Sequence, residues 1–277
     1  MRDILRPVSV APAVNRRYTM KLFRSLILLA MALLLCGSAF AEQPQANAYK
    51  AQNPITIDGV LDEWVLDSPM ILNSEEQLIR DAQTWHGKED LSCITYVMWD
   101  EENLYLAVDV TEDSPFGAIE MLPLDGEDNF KVFFSTDPTA DPARTSYGTC
   151  DWMLYLIVDN VYWDTAIERS MIPVEVRGRY VSKGMTGGED VLNGYEKAVT
   201  TNVNGFIFEA KIPWENFSNK HIPVYVPQTG DCINFDFAIT DIGYPCPGTD
   251  YIPQMAWTGD ISINYNPSAW GRLLFVD

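Results

Sequence analysis

The stretch from Ser92 to Asp113, S-C-I-T-Y-V-M-W-D-E-E-N-L-Y-L-A-V-D-V-T-E-D, limits the fold more than any other part of the chain. Two β-branched and aromatic runs flank Asp100-Glu101-Glu102-Asn103, where Asp opens a type I turn and Asn tolerates the left-handed position that closes a four-residue loop. The reading is a β-hairpin. Placing Trp99 opposite Leu104 sets Val97 against Leu106, Thr95 against Val108 and Cys93 against Val110, all on one face because strand residues alternate. That face belongs in a core. The other face pairs Met98 with Tyr105, Tyr96 with Ala107 and Ile94 with Asp109, a mixed set suited to a partly covered sheet surface.

Ahead of the hairpin, Met20 to Ala41 has a basic start, an apolar run and small residues at Ala39 and Ala41. These are the marks of a secretory signal peptide, preceded here by an N-terminal extension; a membrane anchor is the alternative, for which the apolar run is short. Domain boundaries follow: 1–41 extension and signal, 42–52 a polar linker, 53–277 one β domain, exported to the periplasm or cell exterior after cleavage near Ala41. Residues 1–41 hold six of the 19 Lys and Arg and one of the 39 Asp and Glu, so the remainder carries 13 basic and 38 acidic residues, a formal charge of −25. Nucleic acid and anionic membranes are poor partners for such a chain, whereas divalent cations and neutral ligands suit it.

Further strands are expected at Ile55 to Ile57, Asn129 to Ser135, Trp152 to Val158, Val174 to Val181, Tyr195 to Thr201, Gly205 to Ile212, Ile233 to Thr240, Gln254 to Trp257 and Arg272 to Val276. A polar loop is expected over residues 73–90, and Pro213 to Phe217 suits a single helical turn. About ten short strands punctuated by Gly, Pro, Asn and Asp, with one or two short helical turns, argue an all-β, antiparallel, jelly-roll-like sandwich. Cys93 reads as a small buried hydrophobe. A bridge from Cys232 to Cys246 is disfavoured, because the strand to Thr240 covers roughly 27 Å and the six residues back reach only about 20 Å.

An ordered set of motifs then resembles the family 9 carbohydrate-binding modules and their DOMON-like relatives. It comprises Ile57-Asp58-Gly59 with Asp62-Glu63-Trp64, Trp85 to Leu91, Met98 to Tyr105 and Val110 to Asp113. It continues through Gly126 to Phe134, Gly205 to Trp214, Gly230 to Asp241, Met255 to Trp257 and Pro267 to Leu273. The resemblance implies a jelly-roll-like sandwich, a glucan or xylan ligand, and calcium ions supporting loops. It also implies a clamp of two tryptophans around a terminal sugar. Here Asp125 and Asn264 stand at the two clamp places, Tyr265 is next to the second, and Lys131 replaces a glutamate.

The candidate ligand-binding set is therefore Trp85, Asp125, Glu127, Asp128, Lys131, Asn264, Tyr265 and Asn266, with Tyr265 as the stacking platform. Acidic loops offer oxygens for calcium, and Asp109, Glu112 and Asp113 are the candidate metal set. No catalytic constellation is legible. His86 and His221 lie in neither a metal-ligand nor a triad pattern, no haem attachment motif occurs, and carboxylate pairs are expected by chance in so acidic a chain. The function expected is a secreted, non-catalytic carbohydrate-binding module whose partner is a polysaccharide or oligosaccharide. A scaffold sandwich without a sugar site is the alternative, and a β-sandwich glycosidase a weaker one.

Overall fold

Gly205, at the turn of the hairpin that closes one side of the sheet, packs so tightly that a Cβ there would lie 2.0 Å from the Val110 carbonyl oxygen. The absent side chain lets β11 (Gly205–Pro213) run flush along β5 (Asn103–Glu112) with an unbroken antiparallel register from Gly205 opposite Thr111 to Pro213 opposite Asn103. β4 (Leu91–Trp99) pairs with β5 in the register expected from the sequence, Trp99 opposite Leu104 through Cys93 opposite Val110. A computed structural model describes residues 43–113, 128–158, 178–182, 188–218, 221–241 and 252–277. The expected signal segment, Asp125, Glu127 and Cys246 lie outside the described residues.

The remaining strands are β1 (Gln45–Lys50), β2 (Met70–Leu72), β3 (Leu78–Arg80), β6 (Asn129–Ser135), β7 (Asp151–Ile157), β8 (Gly178–Ser182), β9 (Gly188–Val191), β10 (Glu196–Asn202), β12 (Cys232–Thr240), β13 (Gln254–Ala256) and β14 (Gly271–Val276). Their hydrogen-bonded order is β10-β11-β5-β4-β1-β14-β12-β6-β7-β8-β9, with β2 on β4, and β13 joining β12 to β3. The two halves of this order fold face to face. Phe130 on β6 lies 4.7 Å from Phe208 on β11, and Phe134 meets Trp214 and Phe217 from the turn after β11. Alternation supplies the core: Phe206, Phe208, Ala210 and Ile212 from β11 meet Phe130, Val132 and Phe134 from β6 and Phe235, Phe237 and Ile239 from β12.

The chain is an all-β sandwich, with departures from expectation that have local causes. The expected linker at 42–52 contains β1, which pairs in parallel with β14 and β4. Its inward residues are only Ala46 and Ala48, so no apolar run announces the strand, and Gln45, Asn47, Tyr49 and Lys50 fill the rest. Ile55 to Ile57 is not a strand; its isoleucines pack with Leu61, Trp64 and Val65 over the outer face of the hairpin. The polar loop at 73–90 contains β3 and two 3-10 turns, and five such turns occur among the described residues. Cys93, Cys150 and Cys232 are free thiols, with Cys93 buried as expected.

The outer face of the second half is covered as well. Phe133, Met153 and Ala238 receive Ile263, Ala269 and Trp270 from two 3-10 turns, Ile261–Asn264 and Pro267–Ala269. Arg144 pins residues 136–150 beside them. Its guanidinium forms a two-pronged pair with the buried Asp151 carboxylate and donates to Asn234 Oδ1 at 3.1 Å.

Candidate functional site

Three buried carboxylates meet where β5 ends, β6 begins and β12 ends. Alternation carries Glu112 onto the core face of β5, two residues past Val110, and the pairing of Thr240 with Asn129 brings the following Asp241 beside the preceding Asp128. Glu112, Asp128 and Asp241 each offer one carboxylate oxygen, and these lie within 4.8 Å of one another. Glu112 Oε1 and Asp241 Oδ1 are buried without a hydrogen-bond partner. Burial, reinforced by the charges of Asp128 and Asp241, holds the Glu112 carboxyl well above its ordinary range. Burial, reinforced by Asp90 and Asp113, pushes Asp241 up to about 7.

Gathering like charges out of water costs several kcal/mol per ion unless protons or a cation compensate. A hard divalent cation suits the all-oxygen donor set, and the two unpartnered oxygens are lone pairs that such an ion would use. Of the expected metal set, the structure keeps Glu112 in the cluster and Asp113 near enough to act on Asp241. Asp109 is separated, because it has the opposite parity on β5 and faces outward with Tyr105 and Ala107, where burial raises its carboxyl. Asp128, expected among the sugar contacts, stands instead in the carboxylate cluster. Asp241 was not singled out: it follows an apolar strand directly, and only the strand pairing reveals its neighbours.

The second candidate surface is built by the two 3-10 turns near the C-terminus. Asp260 caps the first, its Oδ1 accepting from Ser262 N at 2.8 Å. Asn266 caps the second, its Oδ1 accepting from Ser268 N at 3.2 Å and Ser268 Oγ at 2.8 Å, with Pro267 at the first position. Between them the Ile263 carbonyl accepts from Trp270 Nε1 at 2.8 Å and from Tyr147 Oη at 3.4 Å, while the Ile263 side chain is fully buried. The turn is thus pinned from below, and Tyr265 leaves it with 63% of its surface exposed.

Among the residues whose side-chain exposure is described, Tyr265 is the one Phe, Tyr or Trp that is exposed rather than buried or half-buried. Trp64, Trp99, Trp152, Trp214 and Trp270 are buried, and Trp257 is half-buried against the core. Trp85, expected in the ligand set, leans on the core and donates from Nε1 to the Leu91 carbonyl at 2.8 Å. Asn264 is half-buried beside Tyr265, and Asn266 is committed to its cap. Lys131 shares the face of β6 with Phe133, on which Ile263 packs, and its ammonium lies 5.0 Å from the ring centre of Tyr155. The structure therefore brings Lys131, Asn264, Tyr265 and Asn266 to one face of the sheet and leaves Trp85 with the main core.

Comparison with known proteins agrees with this architecture. Residues 57–277 match the family described as carbohydrate family 9 binding domain-like. The exoglucanase XynX of Acetivibrio thermocellus is 25% identical over 206 residues, covering 74% of this chain and 15% of that protein. The endo-1,4-beta-xylanase A of Thermoanaerobacterium saccharolyticum is 26% identical over 186 residues, covering 67% and 12%. The chain thus spans less than a fifth of either curated relative. A family 9 carbohydrate-binding module from Caldicellulosiruptor kristjanssonii, solved with cellotriose, superposes with a TM-score of 0.51 at 14% identity over 84% of this chain and 94% of that one. At that identity the likeness is one of fold.

Proposed function

The chain belongs to the carbohydrate family 9 binding domains, and from that premise we propose that it is an exported, non-catalytic module that holds a glycan by stacking a sugar ring on Tyr265. The observation that carries the reading is the exposed Tyr265 ring on a turn whose caps, buried Ile263 and doubly bonded carbonyl fix its direction. The apolar C–H face of a pyranose stacks on such a ring, and a rigid platform loses little entropy when it binds. Asn264, beside the ring, supplies an amide for sugar hydroxyls. A neutral β-linked glucan or xylan is the class of ligand, in keeping with the cellotriose bound by the structural neighbour and the xylanase in which a related segment occurs.

A calcium ion belongs to this proposal. Glu112, Asp128 and Asp241 would hold it at the end of the sandwich, where it would neutralise their mutual repulsion and tie β5, β6 and β12 together. The role is structural, and the residues fit it through the two buried, unpartnered oxygens.

Two experiments test the reading. Affinity electrophoresis through gels cast with soluble glucans and xylans is expected to retard the protein on at least one; free migration through all of them would turn the account toward a scaffold role for the sandwich. Melting in calcium against chelator, at matched ionic strength, is expected to show a rise of several degrees. Native-state binding at a hundredfold excess over Kd adds about 2.7 kcal/mol, and Asp241→Asn should abolish that gain. Equal midpoints for the unmodified protein would remove calcium from the account.

A further inference from the structure

We propose that the module binds internal sugars along the side of a polysaccharide chain rather than enclosing a chain end. The inference rests on the glycan-binding reading and gives it a substrate form. Its basis is the shape of the platform. Ile261 and Tyr265 are both 63% exposed, at the start of one 3-10 turn and directly after it, while Ile263 between them is fully buried. The turn therefore stands outward on one buried anchor and offers two apolar side chains to solvent. It is held by the Asp260 cap, by the bonds from Tyr265 N and Asn266 N to the Ser262 carbonyl, and by Trp270 Nε1 on the Ile263 carbonyl.

A projecting ridge of this kind meets one face of a pyranose. Every internal unit of a β-linked chain offers such a face, so recognition needs no free terminus. Enclosing a terminal sugar requires a second flat group opposing the first across a gap. Among the residues whose side-chain exposure is described, no second Phe, Tyr or Trp is exposed to oppose Tyr265. Lys131, at the place of a family glutamate, keeps its ammonium over the Tyr155 ring. Ile261, which the sequence did not single out, lengthens the apolar surface beyond a single ring and favours a ligand longer than one sugar.

Calorimetric titration of the full-length protein separates the alternatives. The probes are glucose, cellohexaose, borohydride-reduced cellohexaose and soluble mixed-linkage β-glucan fractions of narrow chain length, with matched xylans. The number of protein molecules bound per polymer chain is expected to rise with chain length, and reduction of the terminal sugar to change Kd by less than about twofold. Glucose should bind at least about tenfold more weakly than cellohexaose, and Ile261→Ser should weaken polymer binding by about threefold. One protein per chain at every length, loss of binding on end reduction, or no effect of Ile261→Ser would overturn the side-on mode while leaving glycan binding in place. Failure of the protein to bind any of these glycans would sink the glycan-binding reading itself, and this inference with it.

Discussion

Replacing Glu209 by Ala should destabilise the sandwich by roughly 3–5 kcal/mol, because one carboxylate accepts three hydrogen bonds from the segment that roofs the hairpin. Glu209 sits on the outer face of β11, fully buried, and accepts from Asp58 N at 3.0 Å, Gly59 N at 2.5 Å and Trp64 Nε1 at 2.5 Å. Burial raises its carboxyl pKa, and the three donors oppose that rise. Hydrogen bonds to a charged group contribute about 1.5–3 kcal/mol each, and a buried donor left without a partner costs about 1–3 kcal/mol. Taking the low end for three donors gives the stated range. Above it lie the apolar contacts of Trp64, Ile57 and Leu61 on Met98, Tyr105 and Ala107, which loosen when the segment lifts.

Gly59 sharpens the expectation. With φ at +82° and a virtual Cβ 2.1 Å from Thr200 Oγ1, the turn fits only while it is drawn down onto the sheet. Urea unfolding followed by tryptophan fluorescence is the assay, and at 2–4 °C per kcal/mol the melting temperature should fall by roughly 10 °C. Glu209→Gln, which keeps the volume but turns an amide donor toward donors, should lie between wild type and Ala. A double-mutant cycle with Trp64→Phe should return a coupling of at least about 1 kcal/mol. A cost below about 1 kcal/mol for Glu209→Ala, or no coupling to Trp64, would refute the reasoning.

Two further outcomes are expected. Asp236 is buried and pushed up to about 7 by that burial, against opposing bonds from Thr258 Oγ1 at 2.5 Å and Phe237 N at 2.8 Å; its folded pKa exceeds the unfolded one, so its contribution is fully present below about pH 4 and declines as pH rises to about 7, by at most about 4 kcal/mol. Asp236→Asn should flatten that part of the stability profile, and an unchanged slope would contradict the assignment. Arg144→Met strands the Asp151 carboxylate and should cost about 3–5 kcal/mol in denaturant unfolding, while Arg144→Met with Asp151→Leu should recover most of the loss.

What was legible in the sequence was whatever alternates. The hairpin register from Ser92 to Asp113 follows from pattern and turn chemistry alone, and the structure reproduces it pair by pair. β1 was not legible, because a parallel strand between β14 and β4 can bury Ala46 and Ala48 and still read as a polar linker. The carboxylate cluster was half legible: Glu112 and Asp128 stand in acidic motifs, but their meeting with Asp241 depends on the pairing of β12 with β6, which local sequence does not encode. Tyr265 was legible through the family resemblance. Its isolation as an exposed ring depends on how far the tryptophans sink into the three apolar clusters, and Trp85 shows that a loop-end tryptophan can pack on the core with a hydrogen bond to a strand end.

The most direct test of glycan recognition through Tyr265 is the affinity ratio between wild type and Tyr265→Ala, measured by calorimetry on the glucan or xylan that wild type binds best, with circular dichroism to verify the fold. The ring is exposed and the turn is held by Ile263, Asp260 and Trp270, so the variant should fold and melt as wild type does while binding at least about tenfold more weakly, the equivalent of about 1.4 kcal/mol. Equal affinity in the two proteins would contradict the account.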